Sequence, residues 1–268
     1  MLKRLGLTFA LILGFAGGLR AEVKIEHIQA ANGPYWPSIS NAVYHPGDIV
    51  SFRYLVTGMK LDSKKMIDGS VSYTVTDSKG KKVEGKSQPW TYAPALGKGT
   101  APHMTAFDVT DTYQPGEYKV HVEVKDHISE EKVSFDRMVT IRPSEWAISA
   151  VAFFHDPEGR HPACLDAHVG EQIYYKMKIV GYDKTRIDAE LEMEMLDKDG
   201  KDIGIKPFTQ VFINNNTKLI ESVPFLMAEG ALPSFSRPGE FKLKITMIDH
   251  VNEKTAVYEA PVRVSYVP

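Results

Sequence analysis

Residues 115–127 read Pro-Gly-Glu-Tyr-Lys-Val-His-Val-Glu-Val-Lys-Asp-His, and residues 238–250 read Pro-Gly-Glu-Phe-Lys-Leu-Lys-Ile-Thr-Met-Ile-Asp-His. Both stretches open on a Pro-Gly turn, alternate apolar and polar side chains, and close on Asp-His. Neighbouring residues of a strand point to opposite faces. Tyr118, Val120, Val122 and Val124 therefore share one face, and Lys119, His121, Glu123 and Lys125 share the other. That pattern demands a sheet with one dry side. The spacing of 123 residues between the stretches also superposes Ile25 on Ile148, Ile28 on Val151, His45 on His168, Gly47 on Gly170 and Gly58 on Gly181. In between, the spacing drifts to 120 at Asp77/Asp197 and Gly80/Gly200, and to 118 when Pro89-Trp90-Thr91 is laid on Pro207-Phe208-Thr209. Two copies with insertions confined to loops make a tandem duplication, not a solenoid.

The rest of the chain agrees with strands. Residues 22–31, 49–57, 69–76 and 105–109 carry apolar side chains at period two. Residues 77–83 read as a hairpin with Gly80 at the tight position. Residues 85–103 hold Pro89, Pro94 and Pro102 with Gly97 and Gly99, and are expected to be irregular. Val133, Phe135, Val139 and Ile141 give a closing strand in which a bulge is expected after Phe135. Residues 186–196 are rich in Glu, Leu and Met, yet they alternate strictly, which predicts a strand rather than a helix. Short strands at regular spacing with turns between them predict an all-β chain: two tandem immunoglobulin-like β-sandwich domains, 22–143 and 144–268, joined at Arg142-Pro143-Ser144.

Residues 1–21 have the form of an N-terminal signal peptide: Lys3 and Arg4, an apolar run over 5–16, small residues, and a cleavage point after Ala21. The apolar run is shorter than the roughly 20 residues of an ordinary membrane helix. No membrane segment is expected after cleavage, and the mature chain is expected to be secreted or periplasmic. Removing Lys3, Arg4 and Arg20 takes the 32 basic residues to 29, against 34 acidic ones. This balance, without any basic run, argues against nucleic acid as a partner. Cys164 is the single cysteine, so no disulfide forms within the chain and stability rests on hydrophobic cores.

The Pro-Gly-Glu-Tyr-x-Val-x-Val segment is similar to the penultimate strand of fibronectin type III and bacterial immunoglobulin-like domains. In those domains a tyrosine at the strand entry hydrogen-bonds back to upstream backbone. The resemblance assigns that role to Tyr118; Phe241 holds the place in the second copy and lacks the hydroxyl. Residues 44–48 and 72–81 resemble the start of macroglobulin-type domains of bacterial surface proteins. The thioester motif of macroglobulins is absent, so protease trapping is not implied. The resemblance implies a fold and no activity.

Candidate chemistry is sparse. The stretch 155–168 gathers His155, Asp156, His161, Cys164, Asp166 and His168, whose side chains suit zinc or copper, but no metal-binding spacing is present. Asp126-His127 and Asp249-His250 recur at equivalent strand ends, which fits Asp capping a turn with His on the rim. Aromatic side chains in Pro- and Gly-rich loops are the stronger binding candidates: Tyr35, Trp36, Trp90 and Tyr92. The opposing reading packs Trp90 and Phe208 into the cores and Trp146 at the joint between domains. The expectation is a non-enzymatic binding, adhesion or scaffold protein of the cell envelope with a protein or polysaccharide ligand, no catalytic residue, no metal and no cofactor. The alternative is a metal-binding or carbohydrate-active accessory protein using 155–168 or the aromatic loops.

Overall fold

The structure is a computed structural model that describes residues 22–34, 36–95 and 98–266. The expected signal peptide, 1–21, and the candidate Tyr35 lie outside these residues. In the N-terminal half the alternating segments form β1 (Lys24–Asn32), β2 (Ser38–Ile39), β3 (Val43–Tyr44), β4 (Ile49–Thr57), β5 (Ile67–Asp77), β6 (Lys82–Tyr92), β7 (Ala101–Asp108), β8 (Gly116–Asp126) and β9 (Lys132–Ile141). The C-terminal half continues with β10 (Ala147–Phe154), β11 (Pro162–Ala163), β12 (Asp166–His168), β13 (Tyr174–Val180), β14 (Ile187–Asp197) and β15 (Phe208–Asn214). A six-residue helix, Thr217–Ser222, precedes β16 (Leu226–Ala231), β17 (Gly239–Asp249) and β18 (Lys254–Ser265).

The strands assemble into four sheets, two per half, and the halves repeat one another strand for strand. Sheet orders β2-β1-β4-β7 and β3-β9-β8-β5-β6 in the first half become β11-β10-β13-β16 and β12-β18-β17-β14-β15 in the second. All pairings are antiparallel except the short β3/β9 and β12/β18 contacts, which are parallel. The chain is all-β, and each half is a β-sandwich closed around its own core. One core gathers Phe52, Tyr54, Val71, Val120, Val122 and Phe135; the other gathers Tyr175, Met177, Leu191, Met193, Leu243 and Ile245. The dry faces expected from alternation are these inward faces.

Local devices repeat as well. Asp77 Oδ1 accepts the amides of Lys79 and Lys81, each at 2.9 Å, and Asp197 Oδ1 accepts those of Asp199 (2.9 Å) and Lys201 (2.8 Å). Gly80 and Gly200 supply the left-handed residue of both turns, at φ 78° and 83°. Asp126 Oδ1 accepts the amides of Ile128 (2.8 Å) and Ser129 (3.2 Å); Asp249 Oδ1 accepts those of Val251 (2.9 Å) and Asn252 (3.3 Å). The Asp-His endings are turn caps, with His127 and His250 on the rim beside Asp68 and Glu190. At the entry to β8, the Tyr118 hydroxyl donates to the Gln114 carbonyl at 2.7 Å, the bond that the resemblance assigned to it. Phe241 replaces that bond with a stack on Phe235, centroids 6.2 Å apart.

Three local expectations are corrected. Residues 82–92 are not irregular: they form β6, and Pro89 is accommodated because β6 is an edge strand. No bulge follows Phe135, since β8 and β9 pair in unbroken register from Gly116↔Ile141 to Lys125↔Lys132. Arg137 occupies the apparent gap in the apolar pattern and lies over the Phe135 ring at 5.6 Å. Finally, the counterpart of Trp90 is Phe212, not Phe208. Trp90 pairs with Gly69 on β5, and Phe212 pairs with Ala189 at the same place on β14. The second hairpin is longer by two residues, which the match of Pro-aromatic-Thr concealed.

Candidate functional site

Each sandwich has one side where the last strands of its two sheets run past each other: β6 beside β7, and β15 beside β16. In the N-terminal half this seam is shut. Trp90, on β6, is 8% exposed, and its ring lies 4.7 Å from that of His103 on β7. His103 in turn meets Tyr54 of the core at 5.6 Å, and Tyr92 packs on the same core. Trp90 and Tyr92 are therefore not loop aromatics offered to a ligand. They belong to an edge strand whose inward positions close the sandwich, because alternation puts residues 90 and 92 on the same inner side. Burial without a protonic partner holds the His103 imidazole down to about 4, so it stays neutral in the seam.

In the C-terminal half the same three positions carry Phe212, Asn214 and Ala228, as the cross-strand register shows. A methyl replaces an imidazole, a phenyl replaces an indole and a short amide replaces a phenol. Beside Phe212 and Asn214 a groove of 360 Å³ opens, lined also by Ile179, Ile187, Leu226, Met227 and Met247, while Ala228 is buried in the core and does not line it. A second hollow of 370 Å³ extends it past Ile220 and Phe225, sharing Ile187, Asn214, Leu226 and Met227. Large apolar side chains stand in water along its rim: Val211 is 60% exposed, Ile213 66% and Met227 43%. Exposed apolar residues grouped beside an apolar groove mark an interaction site, whereas scattered ones do not.

The two edge strands differ in their protection too. β6 carries Lys82, Glu84, Lys86 and Pro89, the devices that keep an edge from pairing with another chain. Glu84 is further tied to the sandwich by accepting the hydroxyls of Tyr73 (2.6 Å) and Tyr113 (2.5 Å). β15, Phe-Thr-Gln-Val-Phe-Ile-Asn, has neither a charge nor a proline. Sequence reasoning missed this site because it sought aromatic loops. The signal that was present is the contrast between a charged and an uncharged copy of one edge strand.

Trp36, the remaining aromatic candidate, belongs to the contact between the halves. Lys178 projects from the outer face of β13 and is 1% exposed. Its ammonium donates to the Asn32 carbonyl (2.9 Å) and to Asn32 Oδ1 (3.2 Å), between the rings of Trp36 (5.0 Å) and Phe225 (4.5 Å). Asn32 Nδ2 donates back to the Ser149 carbonyl at 3.3 Å. Burial lowers the Lys178 ammonium to about 8, against the opposing pull of Asp48 and Asp108. Burial works to raise the Asp48 carboxyl, but polar groups of His45, Ser149 and Asn32 beside it, the His45 amide donating at 2.8 Å, outweigh that and hold the group below its ordinary value. Gly47 sits at φ 97°, where a Cβ would lie 2.3 Å from the Pro224 carbonyl oxygen of the other half. Trp146, expected at this joint, is instead part of the C-terminal core and donates its indole N–H to the Met247 carbonyl at 3.0 Å.

The side chains of 155–168 do not converge. His155 pairs with Glu171 (2.7 Å), His161 with Asp156 (3.0 Å) and His168 with Ser265 (3.1 Å), while Cys164 is exposed. Among the described residues no three potential metal ligands come together. No helix of the described residues is long and apolar enough to cross a membrane.

No family model matches the chain, and no curated protein matches it in sequence. Among solved structures it is similar to the C-terminal domain of the antigen I/II polypeptide BspA of Streptococcus agalactiae, at 12% identity and a TM-score of 0.33 over 90% of this chain and 100% of that one. It is similar to the C-terminal domain of the antigen I/II-family protein AspA of Streptococcus pyogenes, at 11% identity and 0.33 over 90% and 99%. It also matches Pseudomonas fluorescens alkylpurine DNA glycosylase AlkC bound to DNA, at 18% identity and 0.31 over 46% of this chain and 31% of that one. TM-scores at this level carry no argument about family or activity.

Proposed function

We propose that the chain is an exported, non-enzymatic binding protein of the cell envelope, built from tandem immunoglobulin-like domains over 22–143 and 144–268. The N-terminal domain is a closed spacer and the C-terminal domain binds the ligand at the seam between β15 and β16. What carries this reading is the asymmetry of the duplication. The same fold in the same register is plugged and charge-guarded in one copy, and open, apolar and unguarded in the other. The polar joint at Lys178 supports it by holding the two domains against each other, so that the first presents the second at a set orientation.

The test transplants the plug. A Phe212→Trp/Asn214→Tyr variant is immobilised beside the wild type and a Trp36→Ala variant, and each is exposed to envelope extract. A protein or polysaccharide retained by the wild type and by Trp36→Ala, and lost from the plugged variant, is the expected result. Retention that is indifferent to the plug overturns the reading.

A further inference from the structure

Resting on that reading, we propose that β15 takes its partner by strand addition, and that the partner is an extended polypeptide segment alternating apolar and basic residues. β15 ends its sheet, so among the described residues its outer edge pairs with no strand. A row of backbone donors and acceptors over Phe208–Asn214 is thus open to an incoming strand. Strand addition also fixes where the partner's side chains go, because they alternate between two faces. One set faces the groove of 360 Å³ beside Phe212 and Asn214, the positions that Trp90 and Tyr92 hold in the first half. Apolar side chains suit that set.

The other set lies on the outer face of the sheet, beside Val211 and Ile213. Behind these two, one strand further in, the register aligns Asp188 with Ile213, Glu190 with Val211 and Glu192 with Thr209; Asp188 also pairs with Arg186 (2.7 Å) and Glu190 lies 3.4 Å from His250, so the row stays acidic mainly at Glu190 and Glu192 when that histidine is neutral. An added strand would stand roughly two strand spacings, about 9.5 Å, from this acidic row. A Lys or Arg side chain lying across Val211 or Ile213 reaches most of that way, with its stem on the apolar rim and its charge towards the carboxylates. A second copy of this chain fits less well: paired β15 strands would place two acidic rows on one face of the joined sheet. A sugar chain would find apolar walls and few hydrogen-bonding side chains in the groove.

The probe is a fluorescent peptide of about ten residues, long enough to span β15, with Val and Lys alternating. It is compared with a Val/Glu peptide and with one holding the same Val and Lys in two blocks. Anisotropy measures affinity, and hydrogen exchange locates the bound segment. The alternating Val/Lys peptide should bind at least about tenfold more tightly than either control, with protection appearing in β15 and affinity falling with salt. Val211→Lys/Ile213→Lys, which copies the guard of β6 at two well-exposed positions, should abolish binding while leaving the melting curve in place. Glu190→Gln/Glu192→Gln should close the gap between the Lys and Glu peptides. Binding that survives the double lysine variant, or equal binding of the block peptide, overturns the proposal. So does a concentration-dependent dimer that the double lysine variant dissolves, which would give the edge to a second copy. If the peptides fail while the transplanted plug still abolishes capture from extract, this inference falls and the proposed function stands. If the plug has no effect, both fall.

Discussion

The two seams use equivalent strands, in equivalent register, to opposite ends. β6 and β7 meet over Trp90, Tyr92 and His103; β15 and β16 meet over Phe212, Asn214 and Ala228. The groove opens where Phe212 and Asn214 stand in place of Trp90 and Tyr92. Nothing in the backbone pairing has to change, because each of them hangs from an edge strand with space beside it. The difference between copies, not what they share, is where function is best sought.

The sharpest way to break this comparison is to truncate the two equivalent rings. Trp90→Ala leaves a large hole in a closed core and should destabilise the N-terminal half by about 3–5 kcal/mol. Phe212→Ala borders a groove already open to water and should cost less than half of that, about 1–2 kcal/mol. Equal losses in urea denaturation would mean that the two seams are equally closed in solution.

Acid probes the same contrast. The His103 imidazole is held at about 4 in the fold and titrates near 6.5 when unfolded. Between these values the unfolded chain takes the proton first, so stability contributed by neutral His103 is lost as pH falls from about 6.5 to about 4. After allowance for its partly solvated edge this amounts to at most about 2.5 kcal/mol. His103→Phe should flatten that limb of the pH–stability curve. The C-terminal half, with Ala228 in that place, has no such limb to lose.

Alkali probes the joint. Lys178 occupies on β13 the place of Leu55 on β4, which is half-buried, while Lys178 is covered by the other half. Its ammonium titrates at about 8 in the fold and near 10.4 when unfolded, so the unfolded state binds the proton more tightly. The burden of burying the charge eases as pH rises from about 8 to about 10, and the wild type should gain about 2 kcal/mol on Lys178→Met over that window. A constant difference between the two proteins in thermal melts would show that the ammonium is solvated and the joint loose. The smallest effect is expected at the strand entries. Tyr118→Phe removes the bond to the Gln114 carbonyl and should cost about 1 kcal/mol in chemical denaturation. Phe241→Tyr should gain nothing comparable, since Phe235 stacks on that ring in place of the backbone contact.

Much of the architecture could be read before any coordinates. Period-two alternation over 49–57 and 116–126 names strands and their dry faces, because a strand offers only two sides. Asp77-x-x-Gly80 and Asp197-x-x-Gly200 name tight turns, because carboxylate-to-amide bonds and a positive φ are local properties. Tyr118 was legible for the same reason: its partner, Gln114, is four residues away. The site was not legible. Trp90 and Tyr92 looked like loop aromatics because Pro89 and the nearby Gly and Pro residues masked an edge strand that tolerates them. Phe208 looked like the counterpart of Trp90 because similar neighbours outweighed a two-residue change in the hairpin.

The sequence alone determined the strands, their inward faces, the turns and the duplication, all of which depend on residues within a few positions of one another. Only the tertiary structure decided which aromatic ring closes a sandwich and which faces water. That choice depends on what lies across the seam: His103 for Trp90, and Ala228 for Phe212. It likewise turned Lys178, a polar residue on an outward face, into the buried centre of the joint, because burial there is imposed by the end of β1, 146 residues away in the chain. Local chemistry set the framework of the two halves, and packing between distant segments closed one seam and left the other open.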